Sequence, residues 1–323
     1  MKRDNDLPQT LLEAIRYFSD IDRCIDFMAH LRWRDGKAVC PRCVCPETYY
    51  LAARRVWKCK GCSKQFSIKV GTIMEDSPIT LDKWLSAMWM IVNAKNGVSS
   101  YEIHRAIGVT QKSAWFLSHR IRLAMQQGTF EKLGGEGGHV EVDETFIGGK
   151  ARNMHIATKK RRITGTGGKD KTAVMGILER VGEARTMVIA TRKRTDLHAN
   201  VRQHVEAGSA LYSDELRSYN GLEGDYAHQV INHAVKYVDG QVHTNGIENF
   251  WSLLKRCIHG TWVSVEPFHL FRYLDEQTFR YNQRKLSDAE RFVLALGAIV
   301  GKRLTFNEAT GKGLYEPPNI PIT

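Results

Sequence analysis

The sequence lacks any long apolar run: none of its stretches approaches the roughly 18 consecutive apolar residues of a membrane-spanning helix. Its first ten residues, MKRDNDLPQT, carry charges and contain no apolar run, so no secretory signal peptide is predicted. Lipidation motifs and a long basic amphipathic helix, which are typical of proteins that bind membrane surfaces, are also missing. We therefore expect a cytoplasmic protein with no membrane partner.

Acidic residues are in deficit, since 35 Asp and Glu stand against 47 Lys and Arg, and the formal net charge is +12. A balance this basic favours a polyanionic partner, and nucleic acid is the commonest one. Hydrophobic residues make up 42% of the chain, which is enough for packed cores. A length of 323 residues predicts two or three domains.

The seven cysteines are an odd number, and five of them fall between positions 40 and 62. In a cytosolic chain this count indicates metal binding rather than a disulfide framework. Two CxxC knuckles have fifteen residues between them: Cys40-Pro-Arg-Cys43 and Cys59-Lys-Gly-Cys62. Four thiolates at this spacing surround one structural Zn²⁺ and leave no open position. Two alternatives remain: Cys45 could replace Cys43 as a ligand, or the cysteines could be buried without metal.

Hydrophobic periodicity and glycine content divide the chain into regions. Apolar residues recur at helical spacing on both sides of the cysteine-rich segment, and strand-like runs alternate with helices after residue 139. The glycine-rich run at 133–138 is predicted to be the main domain linker. The predicted regions are a helical segment (1–35), a zinc ribbon (36–72), a helical region (73–132), a mixed α/β domain (139–300) and a loose tail (301–323).

Residues 97–123 have the layout of a helix-turn-helix motif within the helical region. Ser99 or Ser100 can cap a short helix that ends at Gly108, and Thr110 can cap a second helix through about Met125. The second helix of such a motif enters the major groove of DNA. The predicted DNA contacts are Gln111, Lys112 and Ser113 at the start of this helix, and His119, Arg120 and Arg122 on phosphates. The alternative is an ordinary helical hairpin buried in a bundle.

Two aspartates are placed on predicted strands. Asp143 lies in the alternating run at 139–147 and shares one face with Glu141 and Thr145, and a carboxylate on such a strand needs a partner or a metal. Asp214 ends a second apolar strand, and the carboxyl ends of strands are where sites gather in α/β sheets. The alternative for Asp214 is a helix cap or turn residue.

A third acid, Glu248, lies in the first turn of a predicted helix that Asn245 can cap. The same spacing fits a capping box, in which Glu248 bonds back to the Asn245 amide. Lys255 follows seven residues later, two turns along the same face, where a cation could hold a phosphate. Three carboxylates on separate elements suit two Mg²⁺ (or Mn²⁺) ions about 4 Å apart. An acid on a first strand, a second on a later strand and a third on a following helix form an RNase H-like arrangement.

Taken together, these motifs resemble bacterial insertion-sequence transposases of the DDE class, in the ISXO-type group with an N-terminal zinc ribbon. The resemblance covers nearly the whole chain. Besides the two CxxC knuckles, it is carried by Arg32-Trp33, Phe66-Ser67, Gly71-Thr72, Ser113-Ala-Trp115, His119-Arg-Ile-Arg122, Val142–Gly149, Ser213-Asp214, His243–Trp251, Lys255-Arg256, Tyr273–Glu276 and Phe279–Arg284.

The resemblance implies that Asp143, Asp214 and Glu248 are the metal-binding triad, with Lys255 as the basic residue two turns on. The 33 residues between the second and third acids are similar to the spacing of the family. Some relatives have an asparagine as the third member, which would be Asn245 here. We prefer Glu248 because a carboxylate binds Mg²⁺ better than an amide does.

The resemblance also implies an activity. The zinc ribbon and the helix-turn-helix would bind the inverted repeats of a mobile element in double-stranded DNA, and no small-molecule substrate is expected. Water would cut the strand at the element's end, and the freed 3′-hydroxyl would attack a target phosphate. Two ends must be held together, which implies a dimer or larger assembly. The basic loop at 159–171 could follow the DNA backbone, or it could be a solvated charged run. The alternatives are a DNA-binding regulator without catalysis and an RNase H-like nuclease.

Overall fold

The computed structural model describes residues 7–126, 131–149, 171–231 and 243–312, with a few further positions at 128, 155–157 and 159. The chain divides into two compact units, of which the first combines residues 1–126 with 285–323 and the second spans 127–284. Apart from its two ends, the predicted basic loop at 159–171 lies outside the described residues, as do positions 1–6 and 313–323. Among the described helices, none is both long and apolar enough to span a membrane.

The described helices and strands follow one another in this order: α1 (Leu11–Tyr17), α2 (Ile21–Arg32), β1 (Thr48–Leu51), β2 (Val56–Cys59), β3 (Gln65–Phe66), α3 (Leu81–Asn93), α4 (Ser100–Ile107), α5 (Gln111–Met125), β4 (His139–Ile147), β5 (Thr172–Glu179), β6 (Ala184–Ile189), α6 (Arg194–His204), β7 (Ala210–Asp214), β8 (Ala227–Ile231), α7 (Asn245–Cys257), α8 (Leu270–Asn282), α9 (Asp288–Gly297) and α10 (Phe306–Ala309). Strands β1, β2 and β3 form a three-stranded antiparallel sheet in the first unit.

Helix α9 belongs to the first unit, although the sequence placed it in the domain predicted over 139–300. Phe292 on α9 is buried against Trp89 of α3 and Phe18, with ring centroids 5.1 Å and 5.6 Å apart. Burial of aromatic rings is the largest single contribution a residue can make to a core. The amphipathic pattern of α9 correctly predicted a helix, but it could not specify which unit that helix packs on.

The hairpin of α4 and α5 has the predicted helix boundaries. Ser99 caps α4 and forms a capping box with Glu102, while Thr110 accepts a hydrogen bond from the first turn of α5. Gly108 ends α4 with φ of +61°, in the left-handed region where a side chain would be strained. These local features follow directly from the residue types at the two helix starts and at the turn.

The second unit is built on a mixed five-stranded sheet in the order β6-β5-β4-β7-β8. Strands β4, β5 and β6 are antiparallel neighbours, whereas β7 pairs parallel to β4 and β8 pairs parallel to β7. The prediction of a mixed α/β sheet after residue 139 is therefore confirmed. Strand β4 is central. Because β7 runs parallel to it, the carboxyl ends of both strands lie at the same edge of the sheet.

Each face of this sheet carries its own hydrophobic core. Val140 and Val142 of β4 face α6, where they are buried with Leu197 and Val201. The opposite face packs against α7 and α8; its buried residues include Val174, Leu178, Trp251, Leu254 and Leu274. Because side chains alternate along a strand, the odd-numbered residues of β4, including Glu141 and Asp143, face α7.

The glycine-rich run at 133–138 is packed into the second unit, so its prediction as a linker is wrong at this position. Leu133 is buried, and its N–H donates to the carbonyl of His204 over 2.8 Å. Gly134 has φ of +89°, and a Cβ there would lie 2.3 Å from Oγ of Ser209. Gly134 therefore allows a close approach of Ser209 to the backbone, and the run is not a free linker.

Candidate metal centres and nucleic-acid contacts

The two CxxC knuckles bring four sulfur atoms together. The Sγ atoms of Cys40 and Cys62 are 3.8 Å apart, those of Cys43 and Cys59 are 3.5 Å apart, and all four lie within 4.8 Å of one another. Sulfurs around one tetrahedral Zn²⁺, with Zn–S bonds of about 2.3 Å, would be separated by about 3.8 Å. The geometry of the cluster therefore fits one structural zinc ion.

Cys45 lies beside this cluster but is not one of its four members. Its Sγ atom lies 4.0 Å from the carbonyl of Glu47, and a Cβ on Gly61 would lie only 3.0 Å from that sulfur. Cys45 thus packs behind the second knuckle, where glycine leaves room for it. The spacing argument that preferred Cys43 over Cys45 agrees with this arrangement.

The predicted acids line one open cleft of about 540 Å³ in the second unit. Asp143 comes from β4, Asp214 from the carboxyl end of β7, Glu248 from the first turn of α7, and Lys255 from two turns further along that helix. The other lining residues are Glu144, Thr145, Thr244, Trp251 and Ser252. The structure therefore brings together four side chains that the sequence predicted from three separate elements.

Asp143 is held in place by two hydrogen bonds. Its Oδ2 accepts the indole N–H of Trp251 over 3.0 Å, and its Oδ1 accepts the backbone N–H of Glu144 over 2.8 Å. Burial, followed by the negative charge of Asp214 and then of Glu248, raises the pKa of Asp143 to about 6. The three acids share one cleft, but among the described residues their oxygens do not converge within 4.8 Å as the four sulfurs do.

A glycine on the neighbouring strand makes room for the indole that reaches Asp143. Gly176 of β5 pairs with Asp143, and a Cβ there would lie 2.5 Å from Cζ2 of Trp251. An isolated glycine inside a strand pattern indicates close approach of another group. This pattern could have identified Gly176 from the sequence, but neither Gly176 nor the role of Trp251 was predicted.

Glu248 does not form the capping box that was expected with Asn245. Thr244, not Asn245, is the N-cap residue of α7, and its hydroxyl donates to Oε1 of Glu248 over 3.1 Å. The capping-box interpretation of Asn245 and Glu248 is therefore wrong, because the helix already includes Asn245. Asn245 is exposed and is not among the described residues that line the cleft, whereas Glu248 is.

A fourth acid, Glu144, also lines the cleft. Its side chain projects from the face of β4 opposite to that of Asp143. There the hydroxyl of Tyr219 donates a hydrogen bond to Oε1 of Glu144. Burial raises the pKa of Glu144 to about 7, and the charges of Asp214 and Asp143 act in the same direction. The sequence placed Glu144 on the apolar face without a partner, because no pattern linked it to Tyr219.

The residues predicted to read bases lie at the start of α5. The side-chain amide of Gln111 donates to Oγ of Ser100 over 2.9 Å, and Ser113 is half-buried beside the cap. Lys112 is exposed, with its Nζ 4.7 Å from the ring centre of Phe306. All three stay predictions, and Lys112 is the most accessible of them.

The phosphate contacts predicted further along α5 do not agree with the structure. His119, Arg120 and Arg122 are all buried in the first unit. Arg120 donates to the carbonyls of Glu75 and Leu304 over 2.8 Å and 3.0 Å. A guanidinium that is enclosed in this way supports the packing of its own unit and is not available to a DNA backbone, so this part of the prediction is corrected.

Two stretches of the chain match known families. Residues 133–282 match the family described as the ISXO2-like transposase domain, and residues 20–65 match the transposase zinc-ribbon domain. An uncharacterized protein in transposable element ISH50 of Halobacterium salinarum is 26% identical over 257 residues, which cover 76% of this chain and 85% of that protein. An uncharacterized transposase-like protein of Haemophilus influenzae is 29% identical over 102 residues, which cover 31% of this chain and 82% of that protein. These matches confirm the resemblance to insertion-sequence transposases with an N-terminal zinc ribbon.

Proposed function

We propose that this chain, which carries an ISXO2-like transposase domain behind a zinc ribbon, binds the inverted-repeat ends of a mobile DNA element. It cuts a strand there and transfers the end into target DNA in a metal-dependent reaction. The observation that carries the proposal is the meeting of Asp143, Asp214 and Glu248 in one cleft of the transposase domain. Each acid comes from a different element, so neither chance capping nor a local turn explains why all three line the same cleft.

The sheet supports an RNase H-like catalytic domain. If its strands are numbered from β4 as the first, their spatial order is 3-2-1-4-5, with the first three antiparallel and the last two parallel to the first. Asp143 lies on the first strand and Asp214 at the end of the fourth. Parallel strands bring their carboxyl ends to one edge of the sheet, where α/β proteins place their sites.

The donor atoms of the cleft fit divalent cations of the magnesium type. Carboxylate oxygens are the ligands that Mg²⁺ and Mn²⁺ prefer, and the burial and mutual repulsion that raise the pKa of Asp143 favour a bound cation. We assign Asp143, Asp214 and Glu248 as the ligands. Two ions held there would stabilise the attacking and leaving oxygens of a phosphoryl transfer. Because the three carboxylates would share two ions, they need not converge on one point.

The protein's own groups mainly position the reactants, since phosphoryl transfer needs little covalent chemistry from an enzyme. Lys255 is exposed on the cleft wall two turns beyond Glu248, where its ammonium group can hold a DNA phosphate. Trp251 fixes the carboxylate of Asp143 through its indole N–H. The open shape of the cleft agrees with a substrate as large as a DNA strand.

Recognition of the element's ends is assigned to the first unit. The zinc ribbon and the hairpin of α4 and α5 form this region, and we propose that the hairpin is a helix-turn-helix with Gln111, Lys112 and Ser113 toward the bases. A net charge of +12 supports a DNA partner. Since two ends must be held at once, we propose a dimer or larger assembly that acts on DNA in the cytoplasm.

The test is strand cleavage and joining on a duplex that carries the inverted repeat bordering the gene, with Mg²⁺ or Mn²⁺. Wild type is compared with Asp214→Asn and with Asp225→Asn, which removes an exposed acid paired with Arg202. We expect wild type and Asp225→Asn to cut and join, and Asp214→Asn to bind the duplex but lose at least about 1,000-fold in rate.

The competing functions predict other outcomes. If every protein binds the end and none cuts it, the chain is a DNA-binding regulator and the catalytic proposal fails. If wild type cuts many duplexes without joining strands, the chain is a nuclease. The DNA-binding measurement in each arm separates a lost activity from a lost fold.

A further inference from the structure

Glu141 is a buried carboxylate that the proposed reaction does not use. It lies on β4 two residues before Asp143 and on the same face of the sheet, and its side chain is only 1% exposed. Burying a carboxylate is unfavourable unless charges and hydrogen-bond donors compensate for the lost water. The partners of Glu141 therefore indicate what it does.

Those partners are a cation on one side and the start of a helix on the other. Oε1 of Glu141 accepts a hydrogen bond from Nε of Arg180 over 2.8 Å and lies 3.4 Å from Nδ1 of His243. Oε2 accepts the backbone N–H of Ile247 over 2.9 Å. Ile247 is in the first turn of α7, where N–H groups have no partner within the helix, and the N-cap residue Thr244 provides no side-chain cap. Glu141 therefore caps α7 from the neighbouring strand.

Gly246 allows this close approach. A Cβ at this position would lie 2.8 Å from Oε2 of Glu141 and 2.6 Å from Cδ2 of Leu178. Its φ is not in the left-handed region, so the space it leaves, and not its backbone freedom, is what the structure requires. Any larger residue would separate the start of α7 from β4.

Arg180 is itself fixed by further contacts. Its guanidinium donates to the backbone carbonyl of His243, which precedes α7, and lies 4.2 Å from the ring centre of Tyr212 on β7. The group thus connects the end of β5, the loop before α7 and the strand that carries Asp214. Glu141 and Arg180 lie where the three ligand-bearing elements meet.

We infer that Glu141, held by Arg180, is a positioning residue for Glu248. Glu248 directly follows Ile247 on α7, and Asp143 lies two residues after Glu141 on β4. The bond from Ile247 to Glu141 therefore fixes the offset between the two elements that carry these metal ligands. This inference rests on the proposed function, because it treats the triad as a metal site.

The experiment measures Mn²⁺ binding to the full-length, zinc-loaded protein by titration calorimetry, together with the Mn²⁺ concentration that gives half-maximal strand cleavage. The variants are Glu141→Gln and Gly246→Ala, which moves the helix start without removing the charge. The matched control is Glu276→Gln, which breaks another buried ion pair of the same unit, the one between Glu276 and Arg280. Asp214→Asn tests the metal site itself, and circular dichroism checks the fold of each protein.

We expect Glu141→Gln and Gly246→Ala to weaken Mn²⁺ binding by at least about 10-fold, as changes behind metal ligands typically do. Glu276→Gln should lose stability but keep the wild-type Mn²⁺ affinity. The inference is overturned if the folded Glu141→Gln or Gly246→Ala protein binds Mn²⁺ as wild type does, or if Glu276→Gln weakens binding equally. If wild type and Asp214→Asn bind Mn²⁺ alike, the proposed metal site fails instead, and with it the whole catalytic proposal.

Discussion

The indole N–H of Trp251 donates a hydrogen bond to Oδ2 of Asp143 over 3.0 Å, so α7 and β4 are joined at the first of the proposed metal ligands. One oxygen of Asp143 is thereby oriented by the helix, and the other accepts the N–H of Glu144. The helix that carries Glu248 also sets the rotamer of Asp143. The ligands of the proposed site are thus not independent, and a change at Trp251 affects two of them.

Trp251→Phe should keep most of the packing in the α7 core but remove the hydrogen bond to Asp143. We expect strand cleavage to fall by about 10- to 100-fold, the usual cost of losing a group that orients a metal ligand. Stability should fall by only about 1 kcal/mol. Cleavage rates at saturating Mn²⁺ and urea unfolding measure the two effects. Trp262→Phe, whose ring packs on Tyr273, is the control; equal losses in both variants would contradict a specific role for Trp251.

Gly176→Ala places a methyl group 2.5 Å from Cζ2 of Trp251, which is too close for any carbon pair. The indole must move away from Asp143, and overpacking of this kind typically costs about 1–3 kcal/mol. We expect cleavage to fall at least as far as in Trp251→Phe. Gly224→Ala, where nothing lies within 4 Å of the added carbon, should leave cleavage and the unfolding midpoint nearly unchanged. A Gly176→Ala protein with wild-type cleavage would show that the indole is dispensable.

The sheet and most helix boundaries were predictable because they depend on local pattern. Alternation specified β4, a strand-like apolar run specified β5, and capping residues such as Ser99 and Thr110 specified the starts of α4 and α5. The partners of an element were not predictable from the same pattern. An amphipathic helix such as α9 carries a stripe that any apolar surface can cover, so the sequence assigned it to the wrong unit.

The site was predictable in part: residue type and spacing indicated the four cysteines that cluster, and the family resemblance indicated the three acids that line one cleft. The residues behind those ligands were not, because their roles depend on the register of β4 and β5 and on the rotation of α7. Arg120 shows a different error, in which a residue was given the wrong role. A cation at helical spacing was interpreted as a phosphate contact, but its guanidinium bonds to backbone carbonyls inside the first unit.

Cys59→Ser should remove the zinc ion, because three thiolates and a hydroxyl bind Zn²⁺ far more weakly than four thiolates do. Zinc content, measured by mass spectrometry on the purified protein, should fall from one ion per chain toward zero, and the ribbon should become sensitive to proteolysis. Cys45→Ser is the matched control, since Cys45 packs beside the cluster without joining it. Loss of zinc in Cys45→Ser would instead make that residue the ligand.

Lys112→Ala should affect DNA binding, whereas Arg120→Ala should affect the stability of the fold. Lys112 is exposed, so its loss should weaken binding of the inverted repeat by about 10-fold, reduce the salt dependence of binding if its partner is a phosphate, and leave stability unchanged. Arg120 is buried and bonded to two carbonyls, so its loss should cost about 2–3 kcal/mol. Fluorescence anisotropy at several salt concentrations and urea unfolding separate these effects. The assignment fails if Lys112→Ala destabilises the fold while Arg120→Ala only weakens DNA binding.

Glu144 should make the stability of the protein depend on pH when no magnesium is present. Burial raises its pKa to about 7 in the folded protein, above the 4.5 of a free glutamate, so the folded state binds this proton more tightly. Its stabilising contribution is therefore complete below pH 4.5 and is lost as pH rises through 7, by about 3 kcal/mol in total.

Glu144→Gln keeps an oxygen that can accept the hydroxyl of Tyr219 but carries no charge at any pH. Relative to wild type, the variant should therefore become progressively more stable between pH 4.5 and pH 7 and keep this advantage at higher pH. Urea unfolding at several pH values in this range, with zinc bound and no other divalent cation added, measures the difference. Glu206→Gln, at an exposed position, controls for the loss of one surface charge. If the curves of wild type and Glu144→Gln run parallel, the buried carboxyl of Glu144 does not carry the pH dependence.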